Sequence, residues 1–190
     1  AVKTDGYGTF VRRVTCTNNV WTTTQLWSNT DPSTAFVTPV ARDGCVYGTF
    51  GTENNSPVNQ LKCVNMLNGT AKWSQASFGR GGLLMVGNYL MALTETGQLV
   101  LAQVNSTAYV EVGRFQALPT SNVKCWNMPA IADGKVYVRS TSYGAAYDFS
   151  LPDSTPAIAV GPASLNLGSL QVGTSASGTF YVTNIGGGTL

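Results

Sequence analysis

Short apolar runs broken by glycine and asparagine turns recur along most of this chain, and residues 60–74 show the unit most clearly. Leu61 and Cys63, then Met66-Leu67, supply the apolar side of a strand. Asn68-Gly69 follows, a dipeptide suited to a type I′ turn, whose two central residues need φ > 0. The chain returns through Ala71-Lys72-Trp73, and the indole offers a large apolar body with one N–H for docking on a neighbour. The pattern predicts strand, tight turn, strand.

Partial copies of this unit decide the fold. Thr38-Pro39-Val40-Ala41-Arg42-Asp43-Gly44-Cys45-Val46-Tyr47 is matched by Met128-Pro129-Ala130-Ile131-Ala132-Asp133-Gly134-Lys135-Val136-Tyr137. Residues 82–90 align with the same glycine and apolar positions, so that Gly44, Gly87 and Gly134 recur 43 and 47 residues apart. Each glycine turn is followed by a third strand (61–65, 99–103 and 145–148), and the first two of these by a fourth (71–77 and 109–116). Four short strands repeating every ~45 residues make the blade of a β-propeller. Residues 10–16 and 25–28 fit the end of an earlier blade, with Trp27-Ser28 echoing Trp73-Ser74. The expectation is an all-β chain holding about three and a half blades over residues 1–150.

Beyond residue 150 the pattern changes. Pro152 and Pro156 mark a linker over 151–161, because proline cannot donate to a sheet ladder. In residues 162–190, Leu165, Leu167 and Leu170 alternate with polar residues, as do Phe180 and Val182. This predicts two half-buried strands opening a β-sandwich, too few to be stable alone.

Composition narrows the function. Charged residues make up 11% of the 190, 43% are hydrophobic and the net charge is +2. With Arg12-Arg13 the only basic pair, no nucleic-acid surface is expected. No run approaches the ~20 apolar residues of a membrane helix. The low charge and Thr/Asn-rich surface suggest an extracytoplasmic protein, periplasmic or secreted. Without histidine, a Ser-His-Asp triad and a Cys/His zinc site are both excluded within the chain. The four cysteines (Cys16, Cys45, Cys63, Cys125) lack metal spacing; one or two disulfides are one reading, small buried hydrophobes the other.

Two resemblances attach to these motifs. Residues 64–73 resemble the tryptophan-docking hairpin of quinoprotein-like (pyrroloquinoline-quinone-type) β-propeller repeats, whose usual form is Ala-x-Asp-x-x-Thr-Gly-x-x-x-Trp. Cys63, Asn65 and Asn68 stand at the Ala, Asp and Thr positions, while Gly69 and Trp73 are kept. The similarity covers roughly residues 10–150 and is greatest to bacterial outer-membrane-assembly-like repeat proteins. From about Pro156, Leu165-Asn166-Leu167-Gly168 through Val172-Gly173, then Tyr181-Val182-Thr183-Asn184-Ile185-Gly186, resemble the opening strands of a hydin (ASH)-type immunoglobulin-like domain.

The first resemblance implies a structural docking hairpin at Asn65, Gly69 and Trp73. As a family, quinoprotein dehydrogenases add the quinone, a bound calcium and a catalytic Asp. This chain has no adjacent cysteine pair, and its nine acids are scattered. Asp43 and Asp133 read as turn residues. Asp148 shares a repeat position with Asn65 and Gln103, which suits a hairpin hydrogen bond. Phe78-Gly79-Arg80-Gly81-Gly82 lacks the Lys-Ser/Thr and helix of a phosphate loop and reads as a blade connection. No catalytic, cofactor-binding or metal-binding residue is expected.

The expected function is therefore a non-enzymatic exported propeller scaffold, a fragment of a longer bacterial protein, binding a protein or carbohydrate partner through its loops. Residues 51–59 and 105–109 are the candidate loops, and Arg80, Trp126 and Tyr143 the candidate ligand contacts. Two alternatives stand beside it. One is a quinone-dependent dehydrogenase, using pyrroloquinoline quinone and calcium, whose site lies in blades outside this chain. The other is a surface-array or fibre subunit whose open edges a neighbouring chain completes by strand addition.

Overall fold

In the computed structural model the glycine turns close antiparallel meanders, as the period-two pattern requires. Residues 2–4, 8–29, 37–51, 59–120, 124–150 and 156–187 are described. They fall into two compact units, Ala1–Asp148 and Phe149–Leu190. No helix among them is long and apolar enough to cross a membrane.

Four sheets make up the first unit. The first holds β1 (Val2–Thr4), β2 (Gly8–Thr17) and β3 (Val20–Asn29). The second holds β4 (Val40–Arg42), β5 (Cys45–Phe50), β6 (Gln60–Asn65) and β7 (Ala71–Gln75). The third holds β8 (Leu83–Val86), β9 (Tyr89–Leu93), β10 (Gln98–Gln103) and β11 (Glu111–Gln116). The fourth holds β12 (Ala130–Ala132), β13 (Lys135–Arg139) and β14 (Gly144–Asp148). Strand order follows sequence order in each sheet. The architecture is all-β, a partial propeller that shows, among the described residues, two four-stranded blades between two three-stranded ones.

Adjacent blades bury their shared faces. Cys45, Tyr47, Leu61 and Cys63 of the second blade pack against Leu83, Leu90 and Val100 of the third. The alternate residues of the same second-blade strands, Val46, Phe50 and Val64, turn the other way, towards Trp27 of the first blade. Every residue of β5 is therefore buried, which explains why Cys45, Val46 and Tyr47 fill both of its faces rather than alternating with polar residues. The third blade repeats the arrangement, with Met91, Leu93 and Leu99 facing Val136 and Val138 of the fourth.

Registers align the repeats residue by residue. Asn65, Gln103 and Asp148 pair with Cys45, Tyr89 and Lys135, each the first residue after its glycine turn. Asp148 also lies 3.6 Å from the Lys135 ammonium. The glycine alignment is corrected by one position. Asp43-Gly44 and Asp133-Gly134 have positive φ at both residues, whereas in the third blade Gly87 alone does. Gly87 thus occupies the place of Asp43 and Asp133, as a type II′ turn demands glycine first.

Residues 66–69 are also not the two-residue type I′ turn that Asn68-Gly69 suggests. Gly69 has φ of 76° but Asn68 is not among the positive-φ residues. The loop closes by Asn65 N–H to the Thr70 carbonyl at 2.8 Å, leaving four residues inside it. Asn68 Oδ1 instead accepts from Thr70 N–H at 3.1 Å and Thr70 Oγ1 at 2.8 Å, a local bond that replaces left-handed backbone. Cys45, Cys63 and Cys125 are buried free thiols and Cys16 is an exposed one. Burial, with the Cys45 thiol beside it, pushes Cys63 up to about 11.

In the second unit the strand pair is β15 (Ile158–Gly161) with β16 (Tyr181–Asn184). The first strand therefore falls inside the segment read as linker, while the stretch holding Leu165, Leu167 and Leu170, read as a strand, forms none. Leu165, Leu167 and Leu170 remain 44–51% exposed, because two strands offer no second sheet to cover them.

Candidate functional site

The docking hairpin lies between blades. Trp73 donates its indole N–H to the Asn105 carbonyl of the third blade at 2.7 Å. Its ring stands 6.0 Å from Tyr47 and 5.7 Å from Tyr109. Trp27 makes the same kind of bond one blade earlier, to the Met66 carbonyl at 2.8 Å. Gly69 receives that indole: a Cβ there would lie 2.6 Å from the Trp27 ring. Asn65 accepts the Leu67 N–H at 2.8 Å and so shapes the receiving turn.

The third blade changes the chemistry. Phe115 pairs with Leu99 as Trp73 pairs with Cys63. A phenyl ring cannot donate, so the polar bond runs the other way: Tyr147 of the fourth blade donates to the Ala117 carbonyl at 2.6 Å. Phe115 meets that tyrosine edge-on at 4.9 Å. A sequence search for tryptophan alone passes over this variant.

Tyr109, tilted against Trp73, also donates to Glu111 Oε2 at 2.5 Å. Arg114 binds both carboxylate oxygens, at 2.7 and 2.6 Å. Chiefly through Arg114, the Glu111 carboxyl falls from 4.5 to about 2, while burial and then Glu111 push Tyr109 up. Since the folded pKa is the lower one, this network stabilises the fold above about pH 4.5 and is lost as pH falls through 2. With side chains 31% and 29% exposed, solvent screening leaves about 1 kcal/mol. Urea titrations between pH 5 and 2 should show this loss in the wild type, and Glu111→Gln should remove that part of the pH dependence.

The ligand-contact candidates converge only in part. The connection from β7 to β8 runs through Phe78-Gly79-Arg80-Gly81-Gly82, and its glycines permit close approach. A Cβ on Gly79, Gly81 or Gly82 would lie 2.5, 1.9 or 2.6 Å from Glu95, the Leu93 carbonyl or the Met128 backbone. No phosphate cradle is needed to explain them. The packing sets the Arg80 guanidinium 5.1 Å from the Trp126 ring centroid. Lys124, which no sequence motif singles out beside Arg80, Trp126 and Tyr143, lies 4.8 Å from the same ring.

Glu95 organises this cluster. One carboxylate oxygen accepts the Trp126 indole N–H at 2.9 Å, the other the Arg80 backbone N–H at 3.0 Å. Burial, then the Glu95 charge, pushes the adjacent Cys125 thiol up. Arg139, at the end of β13, donates to Asn127 Oδ1 at 2.8 Å. Three cations thus surround Trp126-Asn127 beside one carboxylate. Among the described residues, Arg80, Lys124 and Arg139 form no ion pair. Tyr143, 47% exposed, stays apart: its backbone bonds to Ser140 close the β13–β14 turn. Of the candidate loops, residues 52–58 lie outside the described residues. In the other, Asn105 Oδ1 accepts from Thr107 N–H at 2.8 Å.

The cluster suits anions. Cations over an indole face are held by the ring's quadrupole, and a guanidinium can grip a carboxylate through two bonds. Calcium asks for six to eight oxygen ligands. Among the described residues no three Cys, Asp or Glu side chains converge, so the carboxylate-rich ligand set that calcium favours is not assembled among them.

No family profile matches the sequence, and no curated protein matches it. Solved structures with a similar strand arrangement include quinohemoprotein alcohol dehydrogenase ADHIIG from Pseudomonas putida HK5, at 16% identity and a TM-score of 0.47, over 60% of this chain and 19% of that one. A europium-containing methanol dehydrogenase is similar at 15% identity and 0.43, over 58% and 22%. BamB from Moraxella catarrhalis is similar at 14% and 0.40, over 66% and 50%. The chain spans about a fifth of each dehydrogenase and half of BamB. The blade assignment rests on the sheets and docked indoles described above.

Proposed function

We propose that this chain is part of a non-enzymatic, extracytoplasmic binding scaffold, and that it takes an acidic segment of a protein partner where the connection from its second to its third blade meets the connection from its third to its fourth. The unit Ala1–Asp148 serves as the propeller part, and the unit Phe149–Leu190, with its β15–β16 pair, as the opening of an immunoglobulin-like domain. The observation that carries the reading is the grouping of Arg80, Lys124 and Arg139 around Trp126-Asn127 with Glu95 as the neighbouring carboxylate. Cations already occupy the indole, which leaves less ring face for a stacked sugar. The Glu95 carboxylate repels a dense run of phosphates but tolerates one or two carboxylates, each gripped by an arginine.

Calorimetric titration of the full chain with a synthetic Asp/Glu-rich octapeptide tests this, with an Asn/Gln octapeptide as control. The acidic peptide should bind, more weakly at high salt, and an Arg80→Ala/Arg139→Ala variant should lose on the order of tenfold or more in affinity, since each charge-assisted bond contributes ~1.5–3 kcal/mol. Equal binding of both peptides, or an unchanged affinity in the double variant, overturns the acidic-segment assignment. Dye-linked alcohol oxidation on adding pyrroloquinoline quinone and calcium overturns the non-enzymatic one.

A further inference from the structure

The hairpin of β2 and β3 is longer than its counterparts. Each strand has ten residues, against five or six in β6, β7, β10 and β11. Its base belongs to the blade: Val11 is buried, and pairs with Trp27. A bulge between Val11 and Arg12 then redirects the ribbon, and every residue from 12 to 25 is exposed. β1 reaches only as far as Phe10, so among the described residues both long edges beyond it are unpaired. Two-stranded ribbons are marginal in water. This one is closed by Asn18-Asn19, both with positive φ, and by a 2.7 Å bond between Thr15 and Thr22. It leaves Val14, Val20 and Trp21 57, 62 and 72% exposed.

The two edges differ in what they would meet. β2 carries Arg12 and Arg13, whereas β3 reads Val-Trp-Thr-Thr-Thr-Gln-Leu-Trp-Ser-Asn, with no charge, proline or glycine. Soluble proteins ordinarily block a bare edge with lysine, proline or a bulge; residues 20–25 have none of these. We propose that β3 pairs antiparallel with β3 of a second copy of this chain, giving the sheet order β2-β3-β3′-β2′.

The charge pattern favours a second copy over another partner. A two-fold joint sets each segment against itself, so any charge on the edge would face a like charge. Here all the charge lies on the far strand. A partner chosen by charge would find nothing on β3 to read. Pairing also produces four strands, enough for independent stability. Val14, Cys16, Trp21 and Thr23 share one face by register, and a two-fold axis normal to the sheet gathers both copies of Val14 and Trp21 there.

Sedimentation velocity over a concentration series of the full chain tests this, with amide hydrogen exchange at low and high concentration. The wild type should pass from monomer to dimer, with exchange slowing in residues 20–25. Thr22→Lys/Thr24→Lys, on exposed sites, should weaken the dimer at least about tenfold by setting like charges across the joint. Because Thr22 bonds to Thr15 and Thr24 pairs with Arg13, its urea midpoint should fall slightly; Thr22→Ser/Thr24→Ser, which keeps the hydroxyl bond and adds no charge, is the control and should dimerise as the wild type does. A wild type that stays monomeric at millimolar concentration, a dimer indifferent to the two lysines, or slowed amides elsewhere would each overturn the proposal. The acidic-peptide site is remote from this test, so either proposal can fail without the other.

Discussion

Trp73→Ala should lower the stability of the propeller unit by about 3–5 kcal/mol. The ring fills the joint between the second and third blades, against Tyr47 on one strand and Tyr109 on the next blade. Alanine would leave a cavity that β strands fixed at both ends cannot close. It would also strip the Asn105 carbonyl of its 2.7 Å donor. Trp73→Phe separates the two effects, keeping most of the apolar contact and losing the N–H, for about 1 kcal/mol. The four tryptophans, Trp21, Trp27, Trp73 and Trp126, all lie in the first unit. Denaturant unfolding followed by fluorescence of the remaining three, and by circular dichroism, therefore reports that unit. A loss under ~1 kcal/mol for the alanine variant would mean the indole is not docked.

Gly81→Ala is the second large effect, at about 3 kcal/mol. Its added Cβ would lie 1.9 Å from the Leu93 carbonyl oxygen and 2.8 Å from the Thr94 Cα. Both are backbone, so no side-chain rotation relieves the collision and the connection itself must move. That movement breaks the 3.3 Å bond from the buried Thr49 hydroxyl to the Gly81 carbonyl. It also shifts Arg80 off the Trp126 ring, so acidic-peptide affinity should fall together with stability. Gly113→Ala is the control: nothing lies within 4 Å of its Cβ site, and its unfolding midpoint should stay near that of the wild type. Gly81→Ala within ~1 kcal/mol of the wild type would show that the connection is loosely packed.

The proposed anion site and the proposed pairing edge both lie on features the blade framework merely carries. Fixed blades hold the β7–β8 connection and the approach to β12 side by side, and Arg80 and Trp126 meet because those two segments cross. This is how a loop site gains definition from a rigid sheet. The β2–β3 ribbon extends beyond the sheet and takes little from it except an anchored base at Val11 and Trp27.

Local information was enough for the repeat. Asp-Gly turns, short apolar runs and the Gly69/Trp73 spacing determined four-stranded units, because turn chemistry and side-chain alternation act within a few residues. They also placed Asn65, Gln103 and Asp148 at one repeat position. Tertiary packing decided the rest. Only two-sided burial explains why apolar side chains fill both faces of β5, and only the receiving turn of a neighbour tells a docked tryptophan from an exposed one. Trp27 and Trp21 lie on the same strand, one bonded to the Met66 carbonyl and the other 72% exposed. Likewise Arg80, Glu95 and Trp126 belong to separate turns and connections and Arg139 to the end of a strand, and no periodicity links them. Contact between residues far apart in sequence depends on how blades pack, which the order of residues along one strand does not state.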